Sequence, residues 1–136
     1  TSGFVIQNKL YMGLGLSVSS GNAGKGWWVY DPSTNQWTRK ADFPGPGYNN
    51  TFSNCTFVIG NIGYVLRDND KAEFWQYDPA ADQWKEQAFF DPFRMGSIAF
   101  AIGNKGYLGT GVGSPPKWPN LWTPATKDIW QFTPSQ

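Results

Sequence analysis

Trp118 and Trp122 stand four residues apart in the segment Gly113-Ser114-Pro115-Pro116-Lys117-Trp118-Pro119-Asn120-Leu121-Trp122-Thr123-Pro124. Indole rings are costly to leave in water without a partner. On a stretch stiffened by four prolines they suit stacking on a sugar face or on a peptide. The same rings can instead fold back as a lid over neighbouring structure, with no ligand involved. Cys55 is the only cysteine and cannot form an internal disulfide, and the chain contains no His. A reactive thiol needs a nearby base, so Cys55, flanked by Asn54 and Thr56 in an alternating stretch, is expected to be a small core-facing residue. The lack of His also removes Ser-His-Asp and Cys-His catalysis, and His-ligated zinc or copper, within these residues. Asp68 and Asp70 form a carboxylate pair. Asn69 and Lys71 do not complete the dense oxygen shell that calcium requires, and with Arg67 the segment reads as a solvated turn. No metal and no cofactor is expected.

Eleven Lys/Arg against ten Asp/Glu give a net charge of +1, and the basic residues are scattered singly along the chain. That distribution offers no nucleic-acid footprint. The longest apolar runs, such as Ile98 to Ile102, are too short to span a bilayer or to serve as a secretory hydrophobic region. With 136 residues and 24 aromatics among them, residues 1–136 are expected to form one folded, domain-sized unit. The chain begins at Thr1 rather than Met, which suggests a processed chain, an excised domain or a fragment.

The candidate loops hang from an internal repeat. Phe4-Val5-Ile6-Gln7-Asn8-Lys9-Leu10-Tyr11 recurs as Phe57-Val58-Ile59-Gly60-Asn61-Ile62-Gly63-Tyr64 and as Phe100-Ala101-Ile102-Gly103-Asn104-Lys105-Gly106-Tyr107. A second string, Trp28-Val29-Tyr30-Asp31-Pro32 followed by Trp37, recurs as Trp75-Gln76-Tyr77-Asp78-Pro79 followed by Trp84, and as Trp130-Gln131-Phe132-Thr133-Pro134. Each unit is therefore roughly 50 residues, with loops of variable length. The first string predicts two strands joined by a tight turn, Gly60-Asn61-Ile62-Gly63 in unit two and Gly103-Asn104-Lys105-Gly106 in unit three, where Asn and Gly tolerate positive φ. Unit one has Leu10 where the last glycine of that motif falls in the other two, so its hairpin is expected to be different or strained. In the second string Pro fixes φ and the Asp carboxylate can accept the N–H two residues on, which reverses the chain between strands three and four. Pro44-Gly45-Pro46-Gly47 forms the crossing from unit one to unit two. No segment of useful length has helical periodicity, so the architecture is predicted to be all-β.

These units resemble the kelch repeat, in particular the galactose-oxidase-like kelch proteins of bacteria. The shared elements are a hairpin before a glycine-rich stretch, here Gly13-Leu14-Gly15 and Gly109-Thr110-Gly111, then Tyr or Phe, a turn and a Trp. Unit two departs from the pattern with Val65-Leu66-Arg67. The resemblance implies four-stranded antiparallel blades of a β-propeller: about 4–43, 51–90 and 94–136, the last one incomplete. Trp27, Trp28, Trp37, Trp75, Trp84 and Trp130 are then assigned to blade packing. Propellers generally have four or more blades, so three blades are expected to be part of a longer propeller, half of a six-bladed ring closed by a second copy, or an arc ending on a partner domain.

The resemblance also implies that ligands bind on the face where the loops between strands two and three gather: Ser17 to Gly26, Asp68 to Ala72 and Gly111 to Lys127. Arg94, six residues before Phe100, stands where such repeats often carry an Arg near the channel mouth. There a guanidinium can grip a carboxylate or hydroxyls, or it can bridge adjacent blades. Thr51 takes the equivalent place in unit two. Arg94, Trp118 and Trp122 are the candidate ligand contacts, and no catalytic residue is assigned. The expected function is non-catalytic recognition of a glycan or a protein, with no nucleic-acid partner and no membrane span. The alternatives are part of a sugar-active enzyme of the sialic-acid mutarotase kind, and a purely architectural segment. Copper oxidase chemistry lacks its His ligands here. Export to the periplasm or outside the cell is the expectation that the resemblance carries.

Overall fold

Short runs of alternating apolar and polar residues, each closed by Asn, Gly or Asp-Pro, favour strands that reverse on themselves. The computed structural model describes residues 1–15, 24–45, 54–67, 73–88, 94–113 and 125–134. Its strands are β1 (Ser2–Ile6), β2 (Lys9–Gly13), β3 (Trp27–Asp31) and β4 (Gln36–Lys40), then β5 (Asn54–Ile59), β6 (Ile62–Arg67), β7 (Glu73–Asp78) and β8 (Gln83–Gln87). After these come β9 (Arg94–Met95), β10 (Ile98–Ile102), β11 (Lys105–Gly109), β12 (Val112–Gly113) and β13 (Ile129–Phe132). Two four-stranded antiparallel meanders, β1-β2-β3-β4 and β5-β6-β7-β8, are followed by a three-stranded sheet β10-β11-β13 and a ribbon β12-β9. Among the described residues there is no helix, hence none long and apolar enough to cross a membrane.

The sheets meet along their first strands, β1 beside β5 and β5 beside β10, which is the arrangement of consecutive blades in a partial β-propeller. Each interface is an aromatic layer. Phe4, Ile6, Tyr11, Trp27 and Val29 of the first blade face Val65, Trp75 and Tyr77 of the second. Trp27 is enclosed by Tyr77 at 5.8 Å and Trp84 at 5.0 Å. The opposite face of the second blade presents Phe57, Tyr64, Leu66 and Phe74 to Leu108, Ala99, Ala101 and Phe132 of the third.

The Asp-Pro turns form as the sequence predicts: Asp31 Oδ1 accepts the Ser33 amide at 2.9 Å, and Asp78 Oδ1 accepts the Ala80 amide at 2.8 Å. Asp82, at the end of the second of these turns, fastens the two blades together. Its carboxylate accepts the Tyr77 hydroxyl and the Ala41 amide (3.0 Å), with Lys40 Nζ at 3.8 Å. Burial pushes the Asp82 carboxyl up, but these partners outweigh it and hold it below the ordinary carboxylate range.

Two expectations change. The strained hairpin of unit one owes nothing to Leu10: its turn residues are Gln7 and Asn8, both at positive φ (50° and 61°), where the other hairpins use Gly60 and Gly103 as the first turn residue. Gly63 and Gly106, which the sequence reading placed in those turns, lie in the strands opposite Val58 and Ala101. They are packing positions. The tryptophans also divide. Trp27 and Trp75 are buried and Trp84 packs against the core, but Trp28, Trp37 and Trp130 are exposed. Trp28 and Trp37 lie on the face of the first blade turned away from the second, and Trp130 lies on the outer strand of the third.

Candidate functional site

At the end of the second strand, the first and third blades share one device. Leu14 and Thr110, each between two glycines, take left-handed backbone conformations at φ 57° and 62°. Such a conformation costs an L-residue about 1–2 kcal/mol, and a β-branched Thr there is an outlier. Hydrogen bonds across the loop base hold both. In the first blade the Leu14 amide donates to Gly26 O and the Gly24 amide to Gly15 O at 2.8 Å. In the third, the Thr126 amide donates to Gly111 O at 2.8 Å and the Thr126 hydroxyl to Thr110 O at 2.7 Å.

The third loop is fastened a second time. Val112 pairs with Met95 on one side and with Ala125 on the other, and Gly113 pairs with Arg94. The chain thus leaves and returns through one small sheet. Gly111 (φ 82°) allows this approach, since a Cβ there would stand 2.9 Å from Ser97 N and overlap Met95 O. The ribbon β9-β12 brings Arg94, by backbone register, to the root of the loop that carries the tryptophan pair. Trp118 and Trp122 lie outside the described residues, as do Thr51 and the Asp68 to Ala72 loop.

The sequence reading missed a charged pair at the same end of the second blade. Arg67 Nη1 contacts Glu73 Oε2 at 3.2 Å, and the two side chains are only 3% and 6% exposed. The solvated turn expected for Arg67 is therefore corrected. Arg67 and Glu73 are cross-strand neighbours at the top of the β6-β7 hairpin, and the Phe43 ring lies 4.7 Å under the guanidinium. Phe43 comes from the segment after β4 and is itself packed on Trp75 and Trp84. The available signal was the matched opposite charges flanking a five-residue loop, which antiparallel pairing sets face to face.

Cys55 is half-buried, not fully enclosed. Its thiol donates to the Ser97 carbonyl at 2.8 Å and lies 3.2 Å from the Ser97 hydroxyl, joining the second blade to the start of the third. Among the described residues no three His, Cys, Asp or Glu side chains converge as metal ligands. Arg67 and Glu73 pair their opposite charges, with the guanidinium over the Phe43 ring.

No protein-family model matches this chain, and no curated protein matches it. Among solved structures it is similar to that of YjhT, with a TM-score of 0.65 and 23% sequence identity over 83% of this chain and 34% of that one. The likeness concerns the fold. This chain spans about a third of the length of YjhT.

Proposed function

We propose that this chain is a non-catalytic recognition module of the kelch-propeller type from an exported bacterial protein, taking a glycan or a protein on its loop edge. Arg94, Trp118 and Trp122 are the contacts. The observation that supports the reading is the double fastening of the loop base: the Arg94 strand pairs with the outgoing end of the segment holding the tryptophans, and the returning end pairs on the other side of Val112. A fixed root lowers the ordering cost of binding, and guanidinium and indole groups are the side-chain types that suit hydroxyls, carboxylates and peptide edges alike.

The test is a glycan array and a protein pull-down, followed by calorimetric titration of the best ligand against Arg94→Ala, Trp118→Ala and Trp122→Ala. Each substitution is expected to weaken binding by about tenfold or more, the scale of a lost interface anchor. Affinities unchanged in all three would remove the site. Arg94 also supports a second reading, a sugar-active enzyme of the sialic-acid mutarotase kind. Accelerated anomer exchange of sialic acid in NMR spectra, lost in Arg94→Ala, would replace the binding module with that enzyme.

A further inference from the structure

Both interfaces between blades are built around one contact: a phenylalanine ring from one blade pressed on a glycine of the next. Phe4 of the first blade lies on Gly63, and Phe57 of the second lies on Gly106. A Cβ at Gly63 would stand 2.5 Å from Phe4 Cε1, and one at Gly106 would stand 2.5 Å from Phe57 Cζ, distances that carbon atoms do not adopt. Neither glycine has positive φ. They are glycines so that a ring can lie against bare backbone.

The third blade carries the same ring with nothing of this chain's described residues upon it. Phe100 is 42% exposed, amid Ile98, Ile102 and Ile129, which are more exposed still. The ring is already set for docking. It stacks on Tyr107 at 5.6 Å and 20°, as Phe4 stacks on Tyr11 (5.9 Å, 27°) and Phe57 on Tyr64 (5.0 Å, 14°). The first blade presents the opposite open face, and there the residue in register with Gly63 and Gly106 is Leu10, paired with Val5 as Gly63 pairs with Val58.

We infer that the Ile98/Phe100/Ile102/Ile129 face docks a β-blade carrying glycine at the Gly63 and Gly106 register, and that the first blade of a second copy is refused because Leu10 fills that socket. The interface is continuous with two that this chain already builds, and the occupant is defined by the one residue both of them require. This inference is independent of the loop-edge reading, since no loop residue takes part.

The experiment gives the chain the missing socket. Sedimentation of the wild type, Phe100→Ala, Leu10→Gly, Leu10→Ala and Leu10→Gly/Phe100→Ala is followed over a range of concentrations, with far-UV circular dichroism as the check on folding. Leu10 is half-buried on an open face, and glycine there costs a strand about 0.5–1 kcal/mol more than alanine does, so Leu10→Ala is the matched control. Leu10→Gly is expected to reach at least twice the monomer mass, whereas the wild type, Leu10→Ala and the double variant stay monomeric. A folded Leu10→Gly that remains monomeric overturns the inference, and so does equal association of Leu10→Gly and Leu10→Ala. Wild-type association abolished by Phe100→Ala overturns it too, whatever Leu10→Gly does, because a second copy would then be seated without the glycine.

Discussion

Replacing Gly106 with Ala adds one methyl group at the centre of the second interface. That methyl would stand 2.5 Å from Phe57 Cζ, where ordinary contact is 3.4–4 Å, so the ring must retreat by about 1 Å. It has little room. Phe57 is 4% exposed and lies among Tyr64 at 5.0 Å, Phe74 at 6.2 Å and Phe132 at 6.3 Å. Overpacking of this kind costs about 1–3 kcal/mol. The smaller entropy of the unfolded Ala chain offsets about 0.4–1 kcal/mol of it. A net loss of about 1–2 kcal/mol corresponds to a fall in Tm of about 3–8 °C for a chain of this size. Thermal unfolding followed by near-UV circular dichroism measures it. The companion variant Phe57→Leu removes the colliding ring edge, so Gly106→Ala should cost about 1 kcal/mol less in that background, a coupling that a double-mutant cycle reads directly. If Gly106→Ala matches or exceeds the wild type in stability, or if the two changes simply add, the socket account is refuted.

Two further predictions concern the turns. The Asp82 carboxyl is held below its ordinary value in the folded chain, so its contribution is present above about pH 4 and is lost as pH falls through the folded value. Asp82→Asn should therefore lower the urea midpoint at pH 7, and the gap to the wild type should close as the pH drops below about 4; a gap independent of pH contradicts the assignment. Thr110→Gly keeps the residue-110 amide on Asp128 O and the Thr126 hydroxyl on the residue-110 carbonyl while releasing the left-handed strain of about 1–2 kcal/mol, against about 0.5–1 kcal/mol of added chain entropy. A modest rise in Tm is expected, and a fall would show that the Thr110 side chain contributes more than its backbone costs.

The repeat made most of the fold readable in advance. Three occurrences of Phe-x-Ile and two of Tyr-Asp-Pro, with Phe132-Thr133-Pro134 in the third unit, made strand order and successive antiparallel sheets legible, because turn chemistry is local and needs no knowledge of neighbours. What failed was everything decided by a partner some fifty residues away. Gly63 and Gly106 looked like turn glycines because they adjoin a turn; only the Phe4 and Phe57 rings of preceding blades show why a side chain is forbidden there. Arg67 looked solvated because charge usually means water, and it took the Glu73 carboxylate across the hairpin and the Phe43 ring beneath to enclose it. Trp28 and Trp75 occupy matched repeat positions with opposite exposure, since burial belongs to the blade facing them and not to the repeat. Of the candidate site, Arg94 gained a position at the loop root by its pairing with Gly113. The sequence alone could not reveal that pairing, because β9 and β12 are two residues long each and lie outside both repeated strings.

The closure between Val112 and Ala125 separates the interior of the loop from the blade that bears it. Because the two ends are already joined, doubling the residues between them adds only about 0.6 kcal/mol of closure entropy, and none of that falls on the sheet below. Variants longer or shorter between residues 114 and 124 are therefore expected to keep the bridge between Val112 and Ala125. On the proposed binding role, a library randomised between residues 114 and 124 is expected to change ligand choice while leaving the thermal stability of the blades near that of the parent chain.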